Sequence, residues 1–193
     1  MRQESPSQES RQSHAGLWIV AALVLLAVFG LAIRKIYLSG AEEDSVDADF
    51  SPAPAFDLAG LDGSRHRLRD YSGRVLLIEF WATWCGPCRL QAEILSRLYD
   101  DVRGDDMEFL AVSLGESKDL VEDYTRKDPV PYPVLLDPEE TLGYALEIYA
   151  LPTVIIIDRR GQISFMRPGI SDGDTLRRAL SAAAESREKV ASN

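Results

Sequence analysis

The sequence predicts an α/β domain preceded by one transmembrane helix. Residues 15–33 contain no charged side chain, and a helix of that length, at about 1.5 Å per residue, spans roughly the hydrocarbon core of a bilayer. Further along, Val75–Trp81 and Met107–Leu114 are almost entirely apolar, which is typical of central strands covered on both faces. Segments with apolar residues at helical spacing alternate with these runs. We therefore expect a sheet with a parallel strand pair at its centre and helices packed against it.

Composition divides the chain into five segments. They are a disordered tail at 1–14, a transmembrane anchor at 15–36, an acidic linker at 37–54, the α/β domain at 55–186 and a disordered C-terminus at 187–193. Ser39–Ala41 resembles a cleavage site, but the charge-free run is longer than a usual signal-peptide core, so we expect an uncleaved anchor. Basic residues flank the anchor on both sides, so charge does not decide its orientation. The linker, closed by Pro52 and Pro54, is expected to be extended and mobile.

Charge and cysteine content exclude several classes of protein. The formal net charge of −10 is unfavourable for nucleic-acid binding, which needs a basic face. Two cysteines are too few for a disulfide-stapled secreted domain. A zinc site needs about four ligands, and after the anchor only His66 and a carboxylate could join the cysteines. We therefore expect no nucleic-acid partner, no metal and no bound cofactor.

Both cysteines lie in the segment Phe80–Cys88, whose sequence is FWATWCGPC. This segment joins the predicted strand Val75–Trp81 to a stretch whose apolar residues fall at helical spacing. Two thiols three positions apart at the start of a helix can close a small disulfide ring. The sulfur of Cys85 then lies at the positive end of the helix dipole, which favours its thiolate. The arrangement indicates a reversible dithiol–disulfide pair.

The pattern Trp-Cys-Gly-Pro-Cys resembles the active-site motif of thioredoxin. Residues 51–184 as a whole resemble the membrane-anchored, thioredoxin-like reductases of bacteria, the TlpA/ResA type. The resemblance implies a thioredoxin fold with an N-terminal β-hairpin and a TlpA-type insertion. The hairpin corresponds to Ala55–Leu58 and Arg65–Leu68. The insertion corresponds to a short strand at Tyr132–Asp137 and a helix at Glu139–Tyr149.

The rest of the chain supplies the remaining elements of that fold. They are, in order, a helix at Glu116–Lys127, strands at Val154–Asp158 and Gln162–Met166, and a closing helix at Asp174–Glu185. Two positions depart from the family pattern. Glu93 stands where thioredoxins often carry a kinking proline, and Gln91 stands where some relatives place a glutamate. We therefore expect a straighter helix after the cysteines and assign no acid to position 91.

The resemblance also assigns roles to individual residues. Cys85 is the exposed nucleophile that attacks a substrate disulfide, and Cys88 is the shielded thiol that resolves the mixed disulfide. Glu79 matches the buried acid that relays protons to the second cysteine in thioredoxin; the alternative is a glutamate that reaches solvent at the edge. Trp81 is expected either at the docking rim or in the core. The positions expected to contact substrate are Trp84, Gly86, Pro87, Leu151 and Pro152, the last after a cis peptide bond.

The family's usual substrates are disulfides of exported proteins, such as those of apocytochrome c before haem attachment. An exported reductant needs electrons from across the membrane, so a transmembrane thiol carrier is the implied donor. The expected location is the cytoplasmic (inner) membrane, single-pass, with the domain on the extracytoplasmic (periplasmic) side. Three alternatives remain open. They are a membrane-tethered disulfide oxidase or isomerase, a peroxidase of the peroxiredoxin kind, whose cysteine motif is absent here, and a non-catalytic binding module.

Overall fold

The computed structural model describes residues 19, 23–26, 29, 51–102, 104 and 106–185. The chain divides into two compact units, Met1–Ser45 and Val46–Asn193. In the first unit the described residues are helical and exposed. Within the described part of the chain, no helix has both the length and the hydropathy needed to cross a bilayer. Most of the predicted anchor and both predicted disordered termini lie outside the described residues, so these predictions stay predictions.

Across the described residues of the second unit, seven strands form one mixed sheet in the order β2-β1-β5-β4-β3-β6-β7. The strands are β1 Asp57–Gly60, β2 Arg65–Arg67, β3 Val75–Trp81, β4 Met107–Leu114, β5 Val134–Asp137, β6 Thr153–Ile157 and β7 Ile163–Pro168. The pairs β3–β4 and β4–β5 are parallel, and the other neighbours are antiparallel. The predicted bounds of β3 and β4 are confirmed residue for residue.

Helices cover both faces of the sheet. Within the described part of the domain they are α1 Gly86–Val102, α2 Lys118–Thr125, α3 Thr141–Ala145 and α4 Gly173–Glu185, and a 3₁₀ turn lies at Leu68–Tyr71. Alternate residues of β3 point to opposite faces. Val75 and Leu77 pack in the core shared with α1, α2 and α4, whereas Leu76 and Ile78 pack in the core beneath α3. Glu79 has the parity of the first set, so it points toward α1.

The N-terminal hairpin is confirmed, but its first strand begins and ends two residues later than predicted. β1 pairs antiparallel with β2, placing Leu58 opposite His66, and β1 also pairs antiparallel with β5. The hairpin therefore extends the main sheet through the inserted strand. On the outer strand, Arg65 and Arg67 both form ion pairs with Asp57.

The predicted helix at Glu139–Tyr149 is wrong in its length, since the structure keeps only α3, Thr141–Ala145. Glu140 precedes α3 with a φ of 53°, and Glu147 follows it with a φ of 54°. These left-handed residues interrupt the right-handed helix at each end. The Asp137 carboxylate accepts hydrogen bonds from the backbone of Thr141, Leu142 and Gly143, which satisfies the helix's first N–H groups.

The chain enters the sheet along the start of β7. Pro52 forms an isolated bridge with Gln162. The backbone N–H of Ile163 donates to the carbonyl of Ser51 at 3.0 Å, and that of Ala53 donates to the carbonyl of Gly161 at 2.9 Å. Residues 51–53, at the end of the predicted linker, are thus hydrogen-bonded to the domain.

Candidate active site

The two cysteines form a disulfide at the junction of β3 and α1, with their Cα atoms 5.4 Å apart. Cys85 is the residue before α1, and the backbone N–H of Cys88 donates to its sulfur at 3.3 Å. A side chain that accepts from the third N–H of a helix acts as an N-terminal cap. Pro87 lies in the first turn, where a missing N–H leaves no intrahelical bond unmade. The same N–H and the helix dipole would stabilise a Cys85 thiolate after reduction.

The prediction that Cys85 is exposed is wrong for the oxidised protein. Cys85 is 6% exposed and Cys88 is 2% exposed. The sulfur of Cys85 turns inward because it is bonded to Cys88 and contacts the first turn of α1. Of the pair, Cys85 is still the one nearer the surface.

An exposed rim lies beside the disulfide. Trp84 is 74% exposed, and Gly86 and Pro87 are also exposed. Trp81, in contrast, is 7% exposed, and its ring packs against Tyr124 with centroids 5.3 Å apart. Of the two expectations for Trp81, core packing is therefore confirmed.

The Leu151–Pro152 peptide bond is cis, as predicted. It immediately precedes β6, whose first residue, Thr153, lies opposite Phe80 near the end of β3. This register brings the loop to the sheet edge that carries the disulfide. The Pro152 carbonyl accepts from the N–H of Gly169 at 2.7 Å, which joins the loop to the end of β7.

Glu79 is buried in the middle of β3 and is only 1% exposed. Its Oε1 atom has no hydrogen-bond partner. Burial disfavours the charged carboxylate and raises the pKa of Glu79 to about 8. The alternative of a glutamate that reaches solvent along the sheet edge is wrong.

A cleft of about 360 Å³ lies on the Cys88 side of the disulfide and is lined in part by Cys88, Glu79 and Trp81. We call it the Cys88 cleft. The indole Nε1 of Trp81 also lacks a hydrogen-bond partner. Arg89 and Asp128, which also line the cleft, form an ion pair of 2.8 Å. Two residues with an unpartnered buried polar atom, Trp81 (Nε1) and Glu79 (Oε1), therefore line the same cleft as Cys88.

Gln91 joins α1 to the loop after β7. Its side chain is fully buried; its Oε1 accepts from the N–H of Ser171 at 2.7 Å, and its Nε2 donates to the Ser171 carbonyl at 3.3 Å. A neutral amide can make both bonds, whereas a carboxylate could make only the first. Gln91, at a position where some relatives have a glutamate, thus fastens the helix that carries Cys88 to the loop after β7.

The comparisons with known proteins agree with this geometry. A family model described as AhpC/TSA matches residues 51–166, more than half of the chain. The thiol–disulfide oxidoreductase ResA of Geobacillus kaustophilus is 33% identical over 158 residues, covering 82% of this chain and 89% of that protein. The chain belongs to the ResA/TlpA-type thiol–disulfide oxidoreductases of the AhpC/TSA family.

Solved structures place this ResA/TlpA-type protein in the thioredoxin fold. The exposed lipoprotein thioredoxin of Streptococcus pneumoniae has a TM-score of 0.62 at 27% identity, covering 67% of this chain and 99% of that one. A thiol:disulfide interchange protein of Chlorobium tepidum has a TM-score of 0.62 at 25% identity, covering 72% of this chain and 99% of that one. The predicted thioredoxin-like α/β fold of the domain and thiol–disulfide exchange are thereby confirmed.

The site supports exchange chemistry through its own sulfur atoms. Among the described residues, no group of three or more histidine, cysteine or carboxylate side chains is placed to hold a metal ion. Sequence reasoning missed Glu116, which lies beside the site and contacts Thr83. Its position in the sequence could have indicated it, because Glu116 follows the parallel strand β4 by two residues. The carboxyl ends of parallel strands lie at the same edge of a sheet.

Proposed function

We propose that the protein is a membrane-anchored reductase for disulfides of exported proteins, including the haem-binding cysteines of apocytochrome c. One observation carries the proposal. The Cys85–Cys88 disulfide, which encloses Gly86 and Pro87, lies at the N-terminus of α1 beside the exposed ring of Trp84. Thioredoxin's potential of about −270 mV suits a reductant, and this chain has the same Gly-Pro pair between its cysteines. The charge-free run at 15–33 supplies the membrane anchor.

The reaction proceeds by two sulfur exchanges. The Cys85 thiolate attacks one sulfur of the substrate disulfide, forming a mixed disulfide and releasing the other substrate sulfur as a thiolate, which takes up a proton. Cys88 then loses its proton and attacks Cys85, which releases the second substrate thiol and closes the Cys85–Cys88 ring. Two electrons pass to the substrate, and the oxidised ring is the state in the structure.

Glu79 is the proton carrier for Cys88 in this proposal. A carboxyl group with a pKa of about 8 can accept or donate a proton near neutral pH, which suits an acid–base catalyst. Glu79 and Cys88 line the same cleft. The side chains of Arg89 and Asp128, which also line this cleft, are exposed to solvent. The cleft therefore offers the buried pair a path for protons to solvent that is separate from the exposed rim at Trp84, Gly86 and Pro87.

Glu79→Gln is expected to slow protein-disulfide reduction by roughly a hundredfold or more at pH 8, because proton transfer by a positioned side chain contributes about 10²–10⁴-fold. In the unmodified protein the rate should rise through an inflection near pH 8, and the variant should lack it. The measurement is the pH–rate profile of insulin reduction. Glu93→Gln is the matched control, since Glu93 lines the same cleft but is exposed. An identical profile in Glu79→Gln would remove Glu79 from the mechanism.

The substrate chain docks on the rim around the disulfide. Trp84 supplies an apolar face, and the exposed pair Gly86 and Pro87 leaves the approach to Cys85 open. Leu151 offers its backbone to an extended substrate segment, next to the cis Pro152. These five residues complete the proposed substrate-binding set.

The electron donor is a transmembrane thiol carrier, because an exported dithiol must be re-reduced after each turnover. The protein is proposed to be a single-pass protein of the cytoplasmic membrane with its thioredoxin domain on the extracytoplasmic side. A reductase of this kind has a potential near that of thioredoxin. A measured value near −120 mV would instead indicate a membrane-tethered oxidase.

Cys88→Ser is expected to trap substrates covalently, because the mixed disulfide on Cys85 can no longer be resolved. The measurement is purification of the full chain from cells under alkylating, non-reducing conditions, followed by identification of the attached proteins. The double variant Cys85→Ser/Cys88→Ser is the control and should carry none. Exported proteins with paired cysteines, apocytochrome c among them, are the expected adducts. Recovery of only cytoplasmic proteins would contradict the proposed location and substrates.

A further inference from the structure

Glu116 is a buried acid that contacts the segment leading into the disulfide. It is 5% exposed. Its Oε2 accepts from the backbone N–H of Thr83 at 2.9 Å and from the hydroxyl of Ser113 at 2.8 Å, and its Oε1 accepts from the hydroxyl of Thr83 at 2.6 Å. Three donors converge on this carboxylate, which is the arrangement that stabilises a buried negative charge.

The parallel pairing of β3 and β4 explains the contact. Trp81, the last residue of β3, lies in register with Ser113 of β4. Thr83 and Glu116 each follow their strand by two residues, so both emerge at the same edge of the sheet. Gly115, with a φ of 68°, allows the sharp turn that directs Glu116 back toward β3.

Thr83 connects the Glu116 carboxylate to the redox site. It precedes Trp84 of the docking rim and lies two residues before Cys85, so its nitrogen is within roughly 7 Å of the Cys85 backbone. We infer that Glu116 is a positioning residue for Trp84 and Cys85, and that its negative charge makes the Cys85 thiolate less stable than the helix dipole alone would. The inference rests on the proposed nucleophilic role of Cys85 and deepens it.

The charge on Glu116 acts against two stabilising contacts at Cys85. The N–H of Cys88 and the positive end of α1 favour the thiolate, whereas a nearby carboxylate disfavours it. Among the described residues, the charged side chains that line the cleft beside Cys88 are Glu79, Arg89, Glu93, Arg97 and Asp128. All of them stay unchanged in the variants below, so a difference between those variants reports on position 116.

Glu116→Gln separates the charge from the hydrogen bonds. The amide oxygen can accept from the Thr83 N–H and the Ser113 hydroxyl, and the amide nitrogen can donate to the Thr83 hydroxyl. All three contacts survive while the charge is lost. Glu116→Ala removes both, and Thr83→Val removes one hydrogen bond. Asp119→Asn removes an exposed acid of α2 and is the matched control.

The first experiment measures the Cys85 thiol pKa by iodoacetamide alkylation of the reduced full chain, which needs no protein substrate. Glu116→Gln should lower the pKa of Cys85 by about half a unit to one unit, a threefold to tenfold rise in thiolate at neutral pH. The glutathione equilibrium should move toward the dithiol by the same factor. Values equal to those of Asp119→Asn would overturn the electrostatic part of the inference.

The second experiment tests positioning. Glu116→Ala should raise KM for insulin by roughly tenfold, because Trp84 is no longer held, while reduction of a small aromatic disulfide changes less than threefold. Glu116→Gln should restore the KM. If Glu116→Ala does not fold, Thr83→Val provides the same comparison with an expected threefold rise. An unchanged KM in the variant that folds would overturn the positioning role. Alkylation of Cys85 in the same variants shows whether the nucleophile still reacts. Failure of the positioning role is therefore distinct from failure of the proposed function.

Discussion

Cys85→Ser is expected to abolish insulin reduction, with a loss on the order of a thousandfold or more, because a serine hydroxyl is a far weaker nucleophile than a thiolate near neutral pH. The variant also cannot close the ring with Cys88. The measurement is the rate of insulin precipitation with dithiothreitol as electron source, corrected for the uncatalysed reaction.

Cys88→Ser is the matched control for this loss. It keeps the nucleophile and should still react once with a substrate disulfide, giving a covalent adduct without turnover. Residual turnover of Cys85→Ser above one tenth of the unmodified rate would mean that Cys88 can start the exchange. It would also remove Cys85 as the required nucleophile of the proposed mechanism.

The folding stability of the oxidised protein is expected to fall by about 3–5 kcal/mol between pH 5 and pH 9 because of Glu79 alone. Its pKa is raised from 4.5 to about 8 in the folded state by burial. Over this range the folded state binds more protons than the unfolded state, so stability decreases as pH rises. The contribution is fully present below pH 4.5 and is lost as pH passes through 8.

Glu79→Gln should remove this slope, since the amide does not titrate. The measurement is urea unfolding of the full chain at several pH values, with the free energy of unfolding compared between the two proteins. Glu93→Gln, on the exposed side of the Cys88 cleft, should keep the slope. If the slope of Glu79→Gln equals that of the unmodified protein, Glu79 is not the group that titrates in this range.

The centre of the fold could be predicted from local sequence alone. β3 and β4 are runs of apolar residues buried on both faces, so their bounds coincide with the change in composition. The cysteine pair was predicted from a short motif, and the cis Leu151–Pro152 bond was predicted from the resemblance to the family. Burial of Glu79 follows from its place inside such a strand.

The contacts around the site could not be predicted in the same way. Glu116 and Thr83 are 33 positions apart, and Gln91 and Ser171 are 80 apart. These contacts depend on strand register and on loop paths rather than on local pattern. The ends of α3 depend on two glutamates in left-handed conformation, a conformation that neither composition nor helical spacing indicates.

The position at which the chain enters the domain affects access to the disulfide. Ser51–Ala53 are hydrogen-bonded beside Gly161–Ile163, at the start of β7, whereas the disulfide lies past the opposite end of the neighbouring strands. Five strand residues separate these ends, a distance of about 17 Å. The chain therefore enters the domain at the end of the sheet opposite the sulfurs. A substrate can approach the disulfide without meeting residues 51–53.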